Sequence, residues 1–133
     1  MDIQERLFEE KLKGYCCSET IMNLCLEDMG WELEDRSALV KSMGAFCGGL
    51  HEGLACGTLC AACSVLWLAE ENKYKANDEL GPEMMAWFKE RFGAWNCDEL
   101  LEGDPSRKPE VCPVIVEDTY NKLHDMLEDI GAV

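Results

Sequence analysis

The sequence predicts an all-α protein, a single-domain bundle of five to six helices with a glycine-rich turn before the central helix. Apolar residues recur at intervals of three and four through almost all of the 133 residues, which is typical of the inward stripe of amphipathic helices. No stretch shows the alternation expected of a strand, and Val114–Val116 comes closest. No Pro/Gly/Ser-rich linker divides the chain, so residues 1–133 are expected to form one domain.

The first half of the chain is predicted to form three helices bounded by glycines. The first spans Asp2–Lys13, the second begins at Cys17 or Ser18 and stops at Gly30, and the third spans Asp35–Phe46. Five glycines follow between positions 44 and 57. Because each glycine costs up to about 1 kcal/mol relative to alanine inside a helix, this passage predicts a tight turn or a close backbone approach.

The second half is predicted to form the central helix and three further helical segments. The central helix, Cys56–Asn72, is the most apolar and is expected to cross the core. A helix over Pro82–Phe92 and a short helical turn from Cys97 follow. The last helix is expected over Cys112–Ile130, because Pro113 suits the first turn of a helix and disfavours helical geometry in the residue before it.

The charge balance excludes several classes of partner. Twelve basic and 27 acidic residues give a net charge of −15, which repels nucleic-acid phosphates and anionic lipid surfaces. Nucleic acid and membrane are therefore not expected partners. Residues 1–13 lack the apolar segment of a signal peptide, and no apolar run reaches the length of a membrane span. We expect a cytoplasmic protein.

Nine cysteines are present beside two histidines. In a reducing compartment so many cysteines favour metal binding or redox chemistry over a disulfide framework, and soft sulfur ligands suit iron–sulfur clusters, zinc or copper(I). Four of the cysteines stand at predicted helix starts, where unpaired N–H groups favour an anion by roughly 0.3–1 kcal/mol. Converging helix starts would make a metal or redox pocket from Cys17, Cys56, Cys97 and Cys112.

Most of the remaining cysteines are expected to serve packing and not chemistry. Free cysteine is among the most buried residue types, and four of them are interpreted as small buried hydrophobic residues: Cys25, Cys47, Cys60 and Cys63. The run Cys56-x3-Cys60-x2-Cys63 has the spacing of radical S-adenosylmethionine enzymes, but it lies in a helix rather than in a loop after a barrel strand. Of the adjacent Cys16 and Cys17, one is expected to be functional and the other to serve packing, and the residues alone prefer neither.

Several segments resemble a known family. These are Gly14–Ile21 (GYCCSETI), Cys56–Ala61 (CGTLCA), Arg91–Leu101 (RFGAWNCDELL) and Cys112 before a terminal helix. They resemble the small redox-active proteins named after a C-GCAxxG-C-C cysteine pattern, and the likeness covers nearly the whole chain. The resemblance implies that the signature cysteines are Cys17, Cys56, Cys97 and Cys112.

The same resemblance carries expectations about the cofactor. A related domain in the split-Soret cytochromes holds a two-iron, two-sulfur cluster, so the resemblance implies a [2Fe–2S] site in a helical domain and a homodimer. The haem attachment motif C-x-x-C-H does not occur in the chain, so haem does not carry over.

The functional hypothesis is an iron–sulfur protein that transfers electrons to a redox partner protein. An electron carrier or accessory redox protein is favoured over a stand-alone enzyme. A second hypothesis is a thiol–disulfide oxidoreductase that uses two of the same four cysteines, for example Cys56 with Cys17 or Cys112. A structural zinc site and a helical interaction module with inert cysteines also stay open.

Overall fold

Most of residues 2–133, the part of the chain that the computed structural model describes, forms seven α-helices of four residues or more. Met1, with which the predicted domain begins, lies outside the described residues. The all-α prediction is confirmed, and the helix count is one above the predicted range because the short turn at Cys97 counts as a helix. The helices are α1 (Ile3–Leu12), α2 (Cys17–Asp28), α3 (Leu33–Ser42), α4 (Gly57–Ala69), α5 (Gly81–Phe92), α6 (Cys97–Leu100) and α7 (Lys108–Asp129).

Shorter helical turns connect these elements. A 3₁₀ turn, Met43–Phe46, continues α3, and an irregular turn follows over Gly49–Gly53. The turn Lys73–Lys75 and the wider turn Ala76–Leu80 lead into α5. A 3₁₀ turn, Pro105–Arg107, leads into α7.

Side chains at the helix ends explain several of these boundaries. The N–H of Glu5 donates to the Asp2 carboxylate at 2.9 Å and caps α1, as expected for aspartate at an N-cap. Asn72 caps the turn that leads toward α5 by accepting from the N–H of Tyr74. Gly93 ends α5 with a φ of 88°, a left-handed conformation that glycine adopts without steric cost.

Four long helices enclose the core. Helices α2 and α4 pack against each other, α7 packs on both, and α5 packs against α4. None of the described helices has the length and apolar character needed to cross a bilayer. Fully buried side chains from these four helices make up the centre of the core: Ile21, Leu24, Leu66, Met84, Phe88 and Leu123.

The predicted start of the last helix at Cys112 is wrong, because α7 begins at Lys108. The 3₁₀ turn before it is capped by Asp104, whose carboxylate accepts from the Ser106 N–H at 3.0 Å, so the chain is already helical when it reaches α7. Pro113 lies inside the helix, close enough to its start that little of the hydrogen-bond ladder is lost. Val111 packs against the core, which favours this earlier start.

One polar network ties α1, α2 and α7 together. The Arg6 guanidinium donates to the Asp28 carboxylate at 2.8 Å and to the Tyr120 hydroxyl oxygen at 2.9 Å. The Tyr120 hydroxyl in turn donates to Asp28. The network joins the C-terminal end of α2 to its neighbours and so helps to fix the axis of the helix that carries Cys17.

Candidate functional site

An isolated antiparallel bridge between Ala55 and Asn96 fixes the starts of α4 and α6 relative to each other. The N–H groups of Cys56 and Cys97 each donate to a carbonyl oxygen of the facing segment, both at 2.8 Å. Cys56 and Cys97 lie on either side of this bridged pair, so their side chains project from the same face of the ribbon as diagonal neighbours. The backbone therefore brings the two side chains together across the bridge, although they lie 41 positions apart in the sequence.

The N-terminal turn of α4 faces three of the candidate thiols. Cys56 is the N-cap residue of this helix, and Cys17 is the first residue of α2. The amides of residues 57–59 reach the sulfur atoms of Cys17, Cys56 and Cys97. Unpaired N–H groups at a helix start stabilise negative charge, so this turn favours thiolates or a sulfur-ligated group at one point in the fold.

The thiols of Cys56 and Cys97 interact directly. This interaction, followed by burial, raises the pKa of Cys56 far above the ordinary range. The same interaction lowers the pKa of Cys97. Cys97 therefore loses its proton first, and Cys56 keeps its proton as the donor in the pair.

The other two candidate thiols stand close to this pair. Burial raises the pKa of Cys17, and the neighbouring Cys56 raises it further. Burial also raises the pKa of Cys112, with added contributions from Cys17 and Cys56, whereas the amine of Lys108 acts to lower it. These mutual effects place all four predicted thiols in one neighbourhood. Cys112 lies one turn inside α7 rather than at its start.

The spacing of the four sulfur atoms bears on what they could hold. Among the described residues, no three of these sulfurs all lie within 4.8 Å of one another. A tetrahedral zinc site with Zn–S bonds near 2.3 Å needs sulfurs about 3.8 Å apart. The four sulfurs therefore do not form a closed single-ion shell in this structure.

A disulfide that the sequence analysis did not predict joins Cys16 and Cys47. The interpretation of Cys47 as an inert buried residue is wrong, because this residue is half-buried and bonded. Cys16 is the N-cap residue of α2, and Cys47 ends the 3₁₀ turn after α3. The two are separated by 31 positions, and the sequence carries no local signal for this pairing, since it depends on how α3 returns across the start of α2.

The remaining cysteines are either fully or partly buried. Cys25 is fully buried, as predicted. Cys60 and Cys63 are only half-buried, so the prediction that both are buried is wrong, although Cys63 packs against the core as a residue of a helix seam would. Burial raises the pKa of Cys63 to about 11. Cys60 stands near Cys17 and Cys56, which raise its pKa in addition to burial.

A cavity of about 480 Å³ opens beside two of the four thiols, Cys17 and Cys112. Three cysteines, Cys16, Cys17 and Cys112, contribute to its wall, and Lys11 and Lys108 also line it. The rest of the wall is mostly apolar. The cavity thus borders both the four-thiol neighbourhood, through Cys17 and Cys112, and one cysteine of the disulfide, Cys16.

Comparison with known families bears on this cysteine arrangement. A family model described as "Putative redox-active protein (C_GCAxxG_C_C)" matches residues 15–126, which is most of the chain. The chain belongs to this family. The C_GCAxxG_C_C match runs from the residue before the disulfide cysteine Cys16 into the last turns of α7 and contains all four candidate thiols. No curated protein and no solved structure matches the chain.

Membership in the C_GCAxxG_C_C family confirms the resemblance seen in the sequence. The redox character of the family and the cysteine-rich helical fold agree with the coarse prediction of a redox-active protein. One group that contains cysteines, Cys16, Glu19 and Cys47, has its ligand atoms close enough together to hold a metal ion, although the disulfide occupies both of its sulfurs. Among the described residues, none of the four candidate thiols belongs to such a group.

Proposed function

We propose that this protein binds an iron–sulfur cluster of the [2Fe–2S] type through Cys17, Cys56, Cys97 and Cys112 and exchanges single electrons with a partner protein. Thiolate ligands are the usual protein ligands of such clusters. When bound, the cluster supplies a one-electron couple. The electron partner, the homodimer expected from the resemblance and the cytoplasmic location are parts of the same proposal.

The observation that carries the proposal is the meeting of these four thiols at the start of α4. They come from four separate segments that span 95 positions of the chain, so their proximity is a property of the fold and not of a local motif. Burial raises the pKa of Cys17 and Cys112, and the neighbouring sulfur atoms raise it further, so without a metal these thiols keep their protons. A bound metal would replace the protons and hold the sulfurs as thiolates.

The width of the thiol arrangement favours a cluster over zinc. The sulfurs are too dispersed for the closed shell of a single zinc ion, as described above. The chain's own contribution would be electrostatic. Amides of residues 57–59 donate toward the sulfur atoms, and the Lys108 amine stands beside Cys112. Hydrogen bonds and positive charge near a cluster favour its reduced form.

The surface charge supports a redox partner with a basic docking face. A net charge of −15 attracts a positively charged partner and accelerates encounter at low ionic strength. Electron transfer to such a partner should slow as salt is added. A rate independent of salt would contradict this part of the proposal.

Anaerobic purification tests the cofactor directly. We expect a coloured protein with broad visible absorption from sulfur-to-iron charge transfer, with iron and acid-labile sulfide present in equal amounts. A colourless protein that holds one zinc ion per chain would support the structural zinc site instead. A colourless, metal-free protein would remove both proposals.

Two serine variants test the choice of ligands. Cys97→Ser should abolish the colour, because Cys97 is the most readily ionised of the four thiols. Cys63→Ser should leave the colour and the iron content unchanged, since Cys63 lies farther along α4, and it therefore serves as the matched control. Loss of colour in Cys63→Ser with retention in Cys97→Ser would mean that the ligands are other cysteines.

A further inference from the structure

We propose that Cys16 and Cys47 form a second redox centre, a two-electron thiol–disulfide couple that exchanges with a small thiol compound bound in the 480 Å³ cavity. This centre is distinct from the four-cysteine site, and the proposal stands whether or not that site binds a cluster. Three features support it: the position of Ser18, the access to Cys16 and the location of the pair outside the core.

Ser18 is placed to stabilise the reduced form of the pair. Its hydroxyl oxygen lies 3.3 Å from the Cys16 sulfur and 3.3 Å from the Cys47 sulfur. The hydroxyl donates its only proton to the Met43 carbonyl oxygen at 2.7 Å. The Ser18 oxygen can therefore only accept hydrogen bonds from the two sulfur atoms. A disulfide has no proton to give to it, whereas two thiols do. Reduction therefore creates hydrogen bonds that the oxidised form lacks.

The cavity borders one cysteine of the pair and not the other, so a thiol compound bound there would meet Cys16 first. Cys16 contributes to the cavity wall, and Cys47 does not. The volume of about 480 Å³ lies within the range of small-molecule sites. Lys11 and Lys108 line the same cavity, and their charges favour the approach of a thiolate, which is the attacking species in disulfide exchange.

The bond joins two peripheral segments and not two core elements. Both cysteines are only partly buried, and the side chains of the central core lie elsewhere on α2, α4, α5 and α7. The Cys16 backbone is held independently of the disulfide, because its N–H donates to the Glu19 carboxylate at 3.1 Å. The start of α2 therefore keeps an anchor when the bond is broken.

The reaction balances with two equivalents of thiol. A thiolate attacks the Cys16 sulfur, the bond between Cys16 and Cys47 breaks, and Cys47 leaves as a thiolate that takes a proton. The product is a mixed disulfide on Cys16. A second thiol then attacks the sulfur of the bound compound, which releases Cys16 as a thiol and the compound as its own disulfide. The protein gains two electrons and two protons, and two thiol molecules are oxidised to one disulfide.

Equilibration of the full-length protein with reduced and oxidised glutathione tests the proposal. Alkylation and mass spectrometry would measure the reduced fraction of the pair, and circular dichroism would measure the fold. We expect reversible reduction by glutathione with the helical signal retained and with the buried Cys25 unmodified throughout. A pair that stays oxidised in reduced glutathione, or that is reduced only together with unfolding and exposure of Cys25, would identify a structural disulfide and overturn the proposal.

The role of Ser18 is tested by the position of the same equilibrium. A typical hydrogen bond contributes about 0.5–1.5 kcal/mol, so Ser18→Ala should lower the ratio of dithiol to disulfide by about two- to tenfold. The bond from Ser18 to Met43 is lost equally in both redox forms, so a merely structural role would not move the ratio. Ser42→Ala is the matched control, because Ser42 also donates to a backbone carbonyl at 2.7 Å, in an exposed position. An unchanged ratio in Ser18→Ala would refute the role of Ser18.

Trapping with oxidised glutathione identifies the attacked sulfur. In Cys47→Ser, the remaining Cys16 should form a mixed disulfide with glutathione that fragment ions assign to Cys16 and not to Cys17. In Cys16→Ser, Cys47 should acquire little of the adduct because it does not line the cavity. Equal labelling of the two variants would contradict the proposed route through the cavity.

Discussion

Thr58 shows how a single side chain acts on the candidate site. It is 1 % exposed and lies in the first turn of α4, where its hydroxyl and its amide both reach the Cys17 sulfur. Burial is the larger influence and raises the pKa of Cys17, whereas the Thr58 contacts oppose it. Thr58 therefore holds the pKa of Cys17 below the value that burial alone would give, so the thiolate forms more readily.

Replacing Thr58 by valine should raise the pKa of Cys17 in the metal-free protein, because valine keeps the shape of threonine and removes the hydroxyl. The measurement is the pH at which Cys17 becomes reactive toward iodoacetamide, which should move upward. Thr58→Ser retains the hydroxyl and is the control. A reactivity profile unchanged by Thr58→Val would show that the hydroxyl does not act on the sulfur.

Thr119, in contrast to Thr58, has a buried hydroxyl group without a hydrogen-bond partner. Its side chain is fully buried in α7, and within the described part of the chain its hydroxyl oxygen has no hydrogen-bond partner. A buried unsatisfied polar group costs about 1–3 kcal/mol. Thr119→Val should therefore raise the free energy of unfolding by about 1 kcal/mol in urea denaturation.

A matched variant separates the hydroxyl from the packing at this position. Thr119→Ser keeps the hydroxyl and removes a methyl group, so it should lower the stability. If Thr119→Val were less stable than the parent protein, the hydroxyl would be shown to have a partner in solution.

At the scale of elements, the approach of α4 to the turn after α3 depends on Gly57. A Cβ at this position would stand 2.6 Å from the Phe46 carbonyl oxygen and 3.2 Å from the Ser18 Cβ. The missing side chain therefore lets the start of α4 approach both the preceding turn and α2. This contact brings the amides of α4 up to the sulfur of Cys17.

Gly57→Ala should destabilise the protein by about 1–3 kcal/mol, the usual cost of forcing extra atoms into a packed region. It should also weaken metal binding by moving α4 away from Cys17. Urea denaturation and iron content measure the two effects. Gly44→Ala is the control, since the nearest atoms to a Cβ there are the carboxyl atoms of Glu19 at 3.7 Å. Equal stability of the two variants would contradict this account.

The helix boundaries also show which features could be predicted from the sequence and which could not. The glycine passage predicted a close approach, and Gly57 provides one. The proline rule, in contrast, placed the start of the last helix at Cys112, whereas α7 begins at Lys108. A local rule weighs only the residues next to Pro113, and it could not include the burial of Val111 or the preceding capped turn.

At the scale of the whole molecule, titratable groups held neutral inside the fold make the protein sensitive to alkali. Burial raises the pKa of Cys25, and burial together with the bond to Asp28 raises that of Tyr120. Burial raises the pKa of the Cys63 thiol to about 11 in the folded chain. In the unfolded chain, cysteine ionises near a pKa of about 8.5 and tyrosine near about 10. The unfolded state therefore releases protons first as the pH rises.

The free energy of unfolding of the metal-free protein should be highest below about pH 8.5 and should fall as the pH rises through the folded-state values. Urea denaturation at a series of pH values measures this decrease. Tyr120→Phe should remove part of the decrease above about pH 10 and leave the part below it. Stability that stays constant from neutral to alkaline pH would contradict the burial of these groups in the neutral form.

The sequence by itself determined that the protein is all-α, how most of its helices are bounded, and which four cysteines to examine. Helix periodicity, capping residues and glycines depend only on neighbouring residues, so they can be recognised in the sequence without knowledge of the fold. Only the tertiary structure decided that Cys56 and Cys97 come together across a backbone bridge, that Cys47 bonds to Cys16, and that Cys63 faces partly outward. Those outcomes depend on contacts between residues tens of positions apart, whose geometry is set by the packing of α2, α4 and α7 and not by any neighbouring residue.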